Sequence, residues 1–377
     1  MKLVIDENIA YAEEIFSGYG EVILSHGRKI TNEMLLDADA LIVRSITKVN
    51  EELLKNTKVG FVGTATIGVD HIDLAYLAEK SIAFSDAKGC NADAVTEYVY
   101  TLVSKFLVSA GWTPRETTLG IIGRGNIGGR IAKLAPYLGL KVLVNDPPLE
   151  RQGIRYPFAS LEQTLLSDII TIHTPLTMTG QDKTFHLLSH ANLAKATNVK
   201  FLINASRGET ADKDALLVLN SERRIPLALD VWENEPYIGA DILSAVKFAS
   251  PHIAGYSLEG KINGTMMMKK ALDTYLNRND DFAIQRPPVE NSHIAISSKL
   301  PIIDILYEAA NYIYKIEKDT ALLKKGITMD EMTRGKYFDT LRKQYDLRRE
   351  FNNYTIELRP YDLEKAIVLR AFRFTVV

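Results

Sequence analysis

The segment from residue 118 to residue 146 constrains the fold more than any other part of this sequence. An apolar run at 119–122 leads into Gly-Arg-Gly-Asn-Ile-Gly at 123–128. A helix-like stretch, a second apolar run at 141–145 and then Asp146 follow. A glycine-rich turn alone is a weak signal, but the order strand, G-x-G-x-x-G, helix, strand and acid is typical of a dinucleotide-binding βαβ unit. The segment therefore predicts a dinucleotide site.

The glycines of this turn have separate tasks. Gly123 permits the tight turn, Gly125 lets the backbone approach a pyrophosphate, and Gly128 lets the helix pack closely on the strand. Backbone N–H groups at Asn126 and Ile127 would begin the helix and face the diphosphate, helped by the helix dipole. All five residues are predicted to bind the cofactor.

Asp146 predicts which dinucleotide is bound. A carboxylate at the end of the second strand accepts hydrogen bonds from the ribose hydroxyls and repels a 2′-phosphate, which favours NAD over NADP. No basic cluster follows Asp146 to reverse this preference. The alternative is a glycine turn in a βαβ unit that binds nothing.

Apolar runs alternate with helix-like stretches at 1–87 and again at 117–255. This alternation is typical of doubly wound α/β folds with parallel sheets. A long helix is predicted at 91–110, and a Pro-Pro pair at 287–288 introduces a tail richer in Tyr and mixed charge, which indicates a third, smaller unit. The predicted fold class is therefore α/β, with two doubly wound domains and a small C-terminal unit.

Composition limits the partners and the location. The net charge of −2 argues against nucleic acid or an anionic membrane as the main partner. The single cysteine, Cys90, permits no disulfide within the chain, and the first residues lack a leader pattern. No apolar stretch approaches 18 residues. We expect a cytoplasmic protein and assign no metal site.

Three polar residues follow predicted strands after the dinucleotide motif. Arg207 can hold a substrate carboxylate with two parallel hydrogen bonds, and His252 can exchange a proton with a hydroxyl near neutral pH. Glu235 can orient the imidazole and stabilise its charged form. Together they predict hydride transfer at the C2 carbon of a 2-hydroxy acid. The alternatives are a surface arginine, a solvated acidic loop and a structural histidine.

These motifs together resemble the D-isomer-specific 2-hydroxyacid dehydrogenases. The resemblance extends to His-Thr-Pro-Leu at 173–176, Asp-Val-Trp-x-x-Glu-Pro at 230–236 and Ser-Pro-His-Ile-Ala-Gly at 250–255. It implies that Arg207, Glu235 and His252 are catalytic. It also implies further contacts with NAD, at Thr174, Ser206, Asp230 and Gly255.

The resemblance implies a substrate site as well. Loops at 43–50 and 61–66, and the sequence that follows His252, are similar to a subgroup that oxidises a phosphorylated 2-hydroxy acid. Ser45, Thr66 and Tyr256 would contact the substrate. Arg44 is the nearest candidate cation for its phosphate, although it is equally compatible with an ion pair in the core or at the surface.

The implied domains are discontinuous. Residues 1–98 and 256–285 would form a flavodoxin-like substrate domain, residues 99–255 a Rossmann NAD domain, and residues 286–377 an α+β dimerisation domain. Residues 338–350, with Arg342, Tyr345 and Arg348, resemble part of that dimerisation domain. The resemblance thus implies a homodimer.

Two alternative functions stay open. A sibling enzyme of the phosphoglycerate or hydroxypyruvate/glyoxylate type would share the catalytic residues and differ in its substrate loops. An NAD-binding scaffold or corepressor on the same fold would bind a peptide and be indifferent to His252→Ala.

Overall fold

This computed structural model describes residues 1–280 and 282–377, and their contacts form two units. The first unit comprises Met1–Asn91 and Ser257–Pro288, and the second comprises Ala92–Tyr256 and Val289–Val377. Within the described ranges, no helix is both long and apolar enough to span a membrane.

The first unit is built on a parallel sheet with the strand order β2-β1-β3-β4-β5, which is the flavodoxin-like order. Successive side chains of β1 enter different cores, since Leu3 and Ile5 belong to one apolar cluster and Val4 to another. Both faces of the sheet are therefore covered. The elements are β1 (Lys2–Asp6), α1 (Ala12–Phe16), β2 (Glu21–Ser25), α2 (Asn32–Leu35), β3 (Ala40–Val43), α3 (Glu51–Leu54), β4 (Phe61–Thr64), α4 (Leu74–Glu79), β5 (Ala83–Asp86) and, after the second unit's first part, α12 (Leu258–Tyr275).

The second unit contains a parallel sheet with the strand order β11-β10-β9-β8-β6-β7. The order reverses between β6 and β8, where doubly wound sheets bind their ligands. The elements are α5 (Ala92–Ala110), β6 (Thr118–Ile122), α6 (Asn126–Leu134), β7 (Lys141–Asn145), α7 (Pro147–Arg151), α8 (Leu161–Leu165), β8 (Ile169–Ile172), α9 (His190–Lys195), β9 (Phe201–Asn204), α10 (Lys213–Arg223), β10 (Leu227–Leu229), α11 (Ala240–Ala245) and β11 (Phe248–Ala249).

The C-terminal segment, residues 289–377, packs within the second unit and has its own parallel sheet in the order β12-β13-β14. Its apolar side chains share a core with those of α5. Thr320 exchanges hydrogen bonds with the backbone of Ala249, so this segment covers the edge strand β11. The elements are β12 (His293–Ser297), α13 (Ile302–Ile313), α14 (Ile316–Lys324), α15 (Glu331–Lys343), β13 (Thr355–Arg359), α16 (Leu363–Ala371) and β14 (Thr375–Val376).

The predicted α/β fold with two doubly wound sheets is confirmed. The helix after the glycine turn is α-helical over Asn126–Leu134 and continues as a 3-10 helix at Ala135–Leu138. Pro136 lacks the N–H that the α-helical ladder needs, which accounts for the change. A further division of the second unit at residue 286 remains a proposal.

Candidate active site

The predicted residues of the second unit follow strands that run in the same direction. The glycine turn follows β6, Asp146 follows β7, Thr174 follows β8, Arg207 follows β9, Glu235 follows β10 and His252 follows β11. Since parallel strands end at a common edge, these residues come to the carboxyl edge of one sheet. This is the edge at which open α/β sheets bind ligands.

The turn after β6 leaves no room for a side chain at Gly123 or Gly128. Gly123 has a φ of +92°, and a Cβ on Gly128 would lie 1.9 Å from the carbonyl oxygen of Gly123. A Cβ on Gly125 would meet nothing within 4 Å, so the backbone there is open to a ligand. The first residues of α6, Asn126 and Ile127, follow this open position. This arrangement fits a dinucleotide pyrophosphate.

Two buried polar atoms beside the turn lack a hydrogen-bond partner among the described residues. The Oγ1 atom of Thr174 and the Nδ1 atom of His173 are buried and accept or donate no hydrogen bond among the described residues. Burial lowers the pKa of His173 to about 3, so its ring is neutral. Buried polar atoms are nearly always hydrogen-bonded, so these two atoms fit a site that a bound group completes.

Asp146 is fixed next to the turn. Its Oδ1 atom accepts from the N–H of Leu149, 3.1 Å away, and so caps α7. Its Oδ2 atom accepts from the N–H of Arg124 at 2.6 Å, which ties the end of β7 to the glycine turn. The Arg124 guanidinium lies over the ring of Tyr156, 4.1 Å from its centre. The carboxylate is thereby held where the ribose of a dinucleotide would meet it.

His252 and Glu235 form a hydrogen-bonded pair, with 2.7 Å between Nδ1 and Oε2. Burial acts to raise the pKa of Glu235, but His252, Arg342 and the N–H of Trp232 outweigh it, so that the pKa is lowered. An ionised carboxylate only accepts hydrogen bonds, so Nδ1 carries the proton. Nε2 is then left as the proton-accepting atom of the ring.

The loop that carries His252 is held by the fully buried Asp230. Its carboxylate accepts from the N–H groups of Ile253 and Ala254 and from the hydroxyl of Ser250, at 2.6 to 3.0 Å. His252 has a φ of 56°, an uncommon conformation for a residue other than glycine. Burial raises the pKa of Asp230, although its hydrogen bonds oppose the shift. These contacts stabilise a strained backbone, while Gly255 lies on the same loop.

Arg207 is placed by a compact set of side-chain to backbone bonds. Asn204 donates to the carbonyl of Arg207 at 3.0 Å and accepts from the N–H and hydroxyl of Ser206. A Cβ on Gly208 would lie 2.0 Å from the carbonyl carbon and oxygen of Trp232. Only glycine permits that approach, so the Arg207 loop packs directly on the loop that carries Glu235.

The C-terminal segment contributes residues that sequence reasoning assigned only to dimerisation. Arg348 is buried and donates to the backbone carbonyls of Ile253 and Ala254. Arg342 donates to the hydroxyl of Tyr256 at 3.3 Å, and Tyr345 packs edge-on against the Tyr256 ring. These residues belong to the motif at 338–350, but the sequence did not indicate which surface the motif would contact.

The predicted substrate residues of the first unit follow neighbouring strands. Ser45 is exposed just after β3, and Thr66 follows β4 with its hydroxyl 2.8 Å from that of Thr64. Arg44 forms an ion pair with the fully buried Asp6, with 3.3 Å between Nε and Oδ2. Arg44 is therefore in the ion-pair arrangement that was the alternative to phosphate binding.

Residues 101–254 match the D-isomer specific 2-hydroxyacid dehydrogenase, NAD binding domain, which confirms NAD as the cofactor. Residues 285–370 match a domain of unknown function, DUF3410. Among solved structures, NAD+-bound 3-phosphoglycerate dehydrogenase from Entamoeba histolytica is 25% identical, with a TM-score of 0.60 over 76% of this chain and 99% of that one. D-lactate dehydrogenase from Aquifex aeolicus, with NAD and lactic acid, is 24% identical, with a TM-score of 0.57 over 74% of this chain and 96% of that one.

Curated relatives match the chain over nearly its whole length. Erythronate-4-phosphate dehydrogenase from Hahella chejuensis is 42% identical over 100% of this chain and 99% of its own length. The protein of the same name from Proteus mirabilis is 42% identical over 94% of both chains. These matches show that the chain belongs to the erythronate-4-phosphate dehydrogenases of the D-isomer-specific 2-hydroxyacid dehydrogenase family.

Proposed function

We propose that this protein oxidises 4-phospho-D-erythronate to 2-oxo-3-hydroxy-4-phosphobutanoate with NAD, as a step of pyridoxal 5′-phosphate (vitamin B6) biosynthesis. The observation that carries the chemistry is the 2.7 Å hydrogen bond between Nδ1 of His252 and Oε2 of Glu235. This pair lies at the same sheet edge as the glycine turn. The substrate rests on the relatives that share nearly the full length of the chain.

His252 would act as the base. Its Nε2 atom accepts the proton of the C2 hydroxyl, and Glu235 stabilises the resulting imidazolium through Nδ1. NAD, held by the glycine turn and Asp146, would supply the acceptor for the hydride from C2. In the reverse direction the same imidazolium returns the proton to the carbonyl oxygen.

Arg207 would hold the reacting acid. Its Nη1 atom donates to the carbonyl of Ser206 at 2.8 Å, which leaves the rest of its planar fork for the substrate carboxylate. The same positive charge stabilises negative charge that develops on the C2 oxygen. Ser45, Thr66 and Tyr256 are proposed to contact the remaining substrate groups. We propose that NAD is bound by the glycine turn and Asp146. Further contacts with NAD are proposed for Thr174, Ser206, Asp230 and Gly255.

We propose that the protein is a homodimer joined through its C-terminal segment. Leu363 and Ile367 lie one turn apart on α16 and are 59% and 51% exposed, beside the half-exposed Tyr361. Apolar side chains clustered in this way typify protein interfaces. Leu363→Glu with Ile367→Glu should sediment as a monomer, whereas Leu36→Glu, at an exposed leucine of the first unit, should not.

The single cysteine favours a cytoplasmic location, which stays a prediction.

The test of the function is NADH formation by the purified protein with 4-phospho-D-erythronate, 3-phospho-D-glycerate and D-glycerate side by side. We expect a strong preference for 4-phospho-D-erythronate. Preference for either other acid would keep the catalytic assignment and replace the substrate. NAD binding without turnover of any of them would favour the scaffold alternative.

A further inference from the structure

We propose that Arg342, together with the hydroxyl of Tyr256, forms the subsite that holds the phosphate group of the substrate. This inference rests on the proposed function, because it assigns a place to the phosphate of a phosphorylated 2-hydroxy acid. It gives the C-terminal segment a part in substrate recognition.

The position of Arg342 brings a guanidinium to the catalytic loop. Arg342 lies in the last turn of α15 and donates through Nη2 to the hydroxyl of Tyr256, 3.3 Å away. Its guanidinium carbon lies 5.9 Å from the centres of the Tyr256 and Phe338 rings. Tyr256 follows His252 by four residues on the same loop. The guanidinium therefore stands beside the segment that carries the proposed base.

Arg342 has a charge that the protein does not pair. Among the residues the structure describes, no carboxylate lies within 4.0 Å of its nitrogens, and its buried Nε atom has no hydrogen-bond acceptor. Glu235 and Asp339 act on it only through their charge, and with Tyr256 they outweigh burial and raise its pKa. It is thus a half-buried cation. A bound anion would give this cation the close partner that it lacks among the described residues.

Three other arginines near the candidate residues already have acceptors or an ion pair. Arg44 pairs with Asp6. Arg348 donates to backbone carbonyls of the catalytic loop. Arg334, two turns before Arg342 on α15, donates to the carbonyls of Ile238 and Met329. Of these four arginines, Arg342 is the one to which an anion can be added without the loss of an ion pair or a backbone acceptor.

A phosphate is the anion that fits this position. The planar fork of arginine matches two phosphate oxygens, and the hydroxyl of Tyr256 lies beside that fork. In 4-phospho-D-erythronate the phosphate is attached two carbons from C2. The hydrogen bond of Arg342 to Tyr256, four residues after His252, brings the guanidinium to the loop that carries the proposed base. Carboxylate and phosphate would then be held by different arginines, Arg207 and Arg342.

The experiment compares 4-phospho-D-erythronate with D-erythronate, which lacks only the phosphate. Arg342→Gln should lower kcat/KM for the phosphorylated acid by about 100-fold, as expected for the loss of one member of a close charge pair. The kcat/KM for D-erythronate should change by less than about 3-fold, since its oxidation makes no use of the subsite. Lys343→Gln, which removes the adjacent exposed cation, should change neither value.

Equal losses on the two substrates would overturn the proposal, because Arg342 would then act by positioning Tyr256 or Glu235. Unchanged kcat/KM on both would overturn it too. The kcat/KM of Arg342→Lys is measured on both substrates as well, because this conservative variant should fold even if Arg342→Gln does not. A smaller loss confined to the phosphorylated acid supports the subsite, since an ammonium keeps the charge without the fork.

Inorganic phosphate separates this inference from the proposed function. Calorimetric titration of the NAD-bound enzyme with phosphate needs no turnover, and we expect binding by the wild type that Arg342→Gln weakens and Lys343→Gln preserves. If the wild type binds phosphate in this way but does not oxidise 4-phospho-D-erythronate, the proposed substrate fails and the subsite stands. Phosphate binding that is equal in the wild type and in Arg342→Gln would overturn the subsite.

Discussion

Arg348 donates from Nη1 to the backbone carbonyl of Ile253 at 3.1 Å, so a side chain 95 residues later in the sequence holds the residue next to His252. Its Nη2 atom donates to the carbonyl of Ala254 and to that of Ala94, the latter at 2.9 Å. The C-terminal segment thus joins the start of α5 to the loop that carries the proposed base. Removing this arginine should disturb the loop that carries His252 without touching a side chain that we propose to be catalytic.

Arg348→Met tests that relationship. The variant keeps an apolar stem but leaves buried carbonyls without donors, at a cost of about 1–3 kcal/mol in the free energy of unfolding. We expect a lower Tm and a lower kcat, measured by calorimetry and by NADH formation. Arg359→Met, at an exposed position of the same segment, is the control. A kcat and Tm equal to those of the wild type would show that the loop does not depend on Arg348.

His252→Asn tests the base. Asparagine tolerates the positive φ of this position, so the loop should be retained while proton transfer is lost. We expect kcat to fall by about 10²- to 10⁴-fold with NAD binding unchanged, as measured by initial rates and by titration with NAD. His190→Asn alters an exposed histidine and should have no effect. Turnover at the wild-type rate in His252→Asn would remove His252 from the mechanism and favour the scaffold alternative.

Glu235→Gln tests the lowered pKa of Glu235. Since this pKa is lower in the folded protein than in the unfolded chain, the carboxylate stabilises the fold above its ordinary pKa. That contribution is lost as the pH falls through the lowered value. The difference in unfolding free energy between the wild type and Glu235→Gln should therefore be largest near neutral pH and shrink in acid. Chemical denaturation at several pH values measures it, with the exposed Glu222→Gln as control. A difference that grows in acid would contradict the assignment.

Gly208→Ala tests the packing of the Arg207 loop. An alanine Cβ would lie 2.0 Å from the carbonyl of Trp232, so one of the two loops must shift. We expect a destabilisation of about 1–3 kcal/mol and a clear loss of kcat, because Arg207 and Glu235 lie on the loops concerned. Gly18→Ala, where a Cβ meets nothing within 4 Å, should leave both quantities unchanged. Full activity in Gly208→Ala would show that this packing does not position the site.

Arg207→Lys tests the carboxylate contact. An ammonium cannot reproduce the two parallel hydrogen bonds of a guanidinium, so we expect the loss of most kcat/KM with the fold intact. Initial rates with 4-phospho-D-erythronate, together with the Tm, measure the effect. Turnover close to that of the wild type would refute the role assigned to Arg207.

The sequence was sufficient to predict the doubly wound fold and to bring the candidate site residues to one edge of a sheet. Both depend on local features, since the glycine turn, Asp146, Arg207, Glu235 and His252 each follow an apolar run that forms a strand. The order of the parallel strands then carries these residues to one edge without further information. The hydrogen bond between His252 and Glu235 follows from the same topology, because β10 and β11 are neighbours.

The contacts of Arg342, Arg348 and Arg44 could not be predicted in this way. Each depends on which distant surface the side chain reaches, and the motif at 338–350 contains no period or spacing that encodes it. The same holds for Arg44, whose sequence context fitted a phosphate ligand and an ion pair equally well, until the buried Asp6 was found beside it. Residue type identified these arginines as candidates, and only tertiary packing distinguishes their partners.

The contact between Arg348 and Ile253 also bears on how the enzyme is made. A ribosome releases His252, Glu235 and Arg207 long before it releases Arg348, so the nascent chain holds its proposed catalytic residues while the carbonyls beside His252 lack their donor. A protein shortened after the NAD-binding domain would retain the proposed catalytic residues and the glycine turn. The loop that carries His252 would still lack a hydrogen-bond donor, because Arg348 is encoded in the last quarter of the gene.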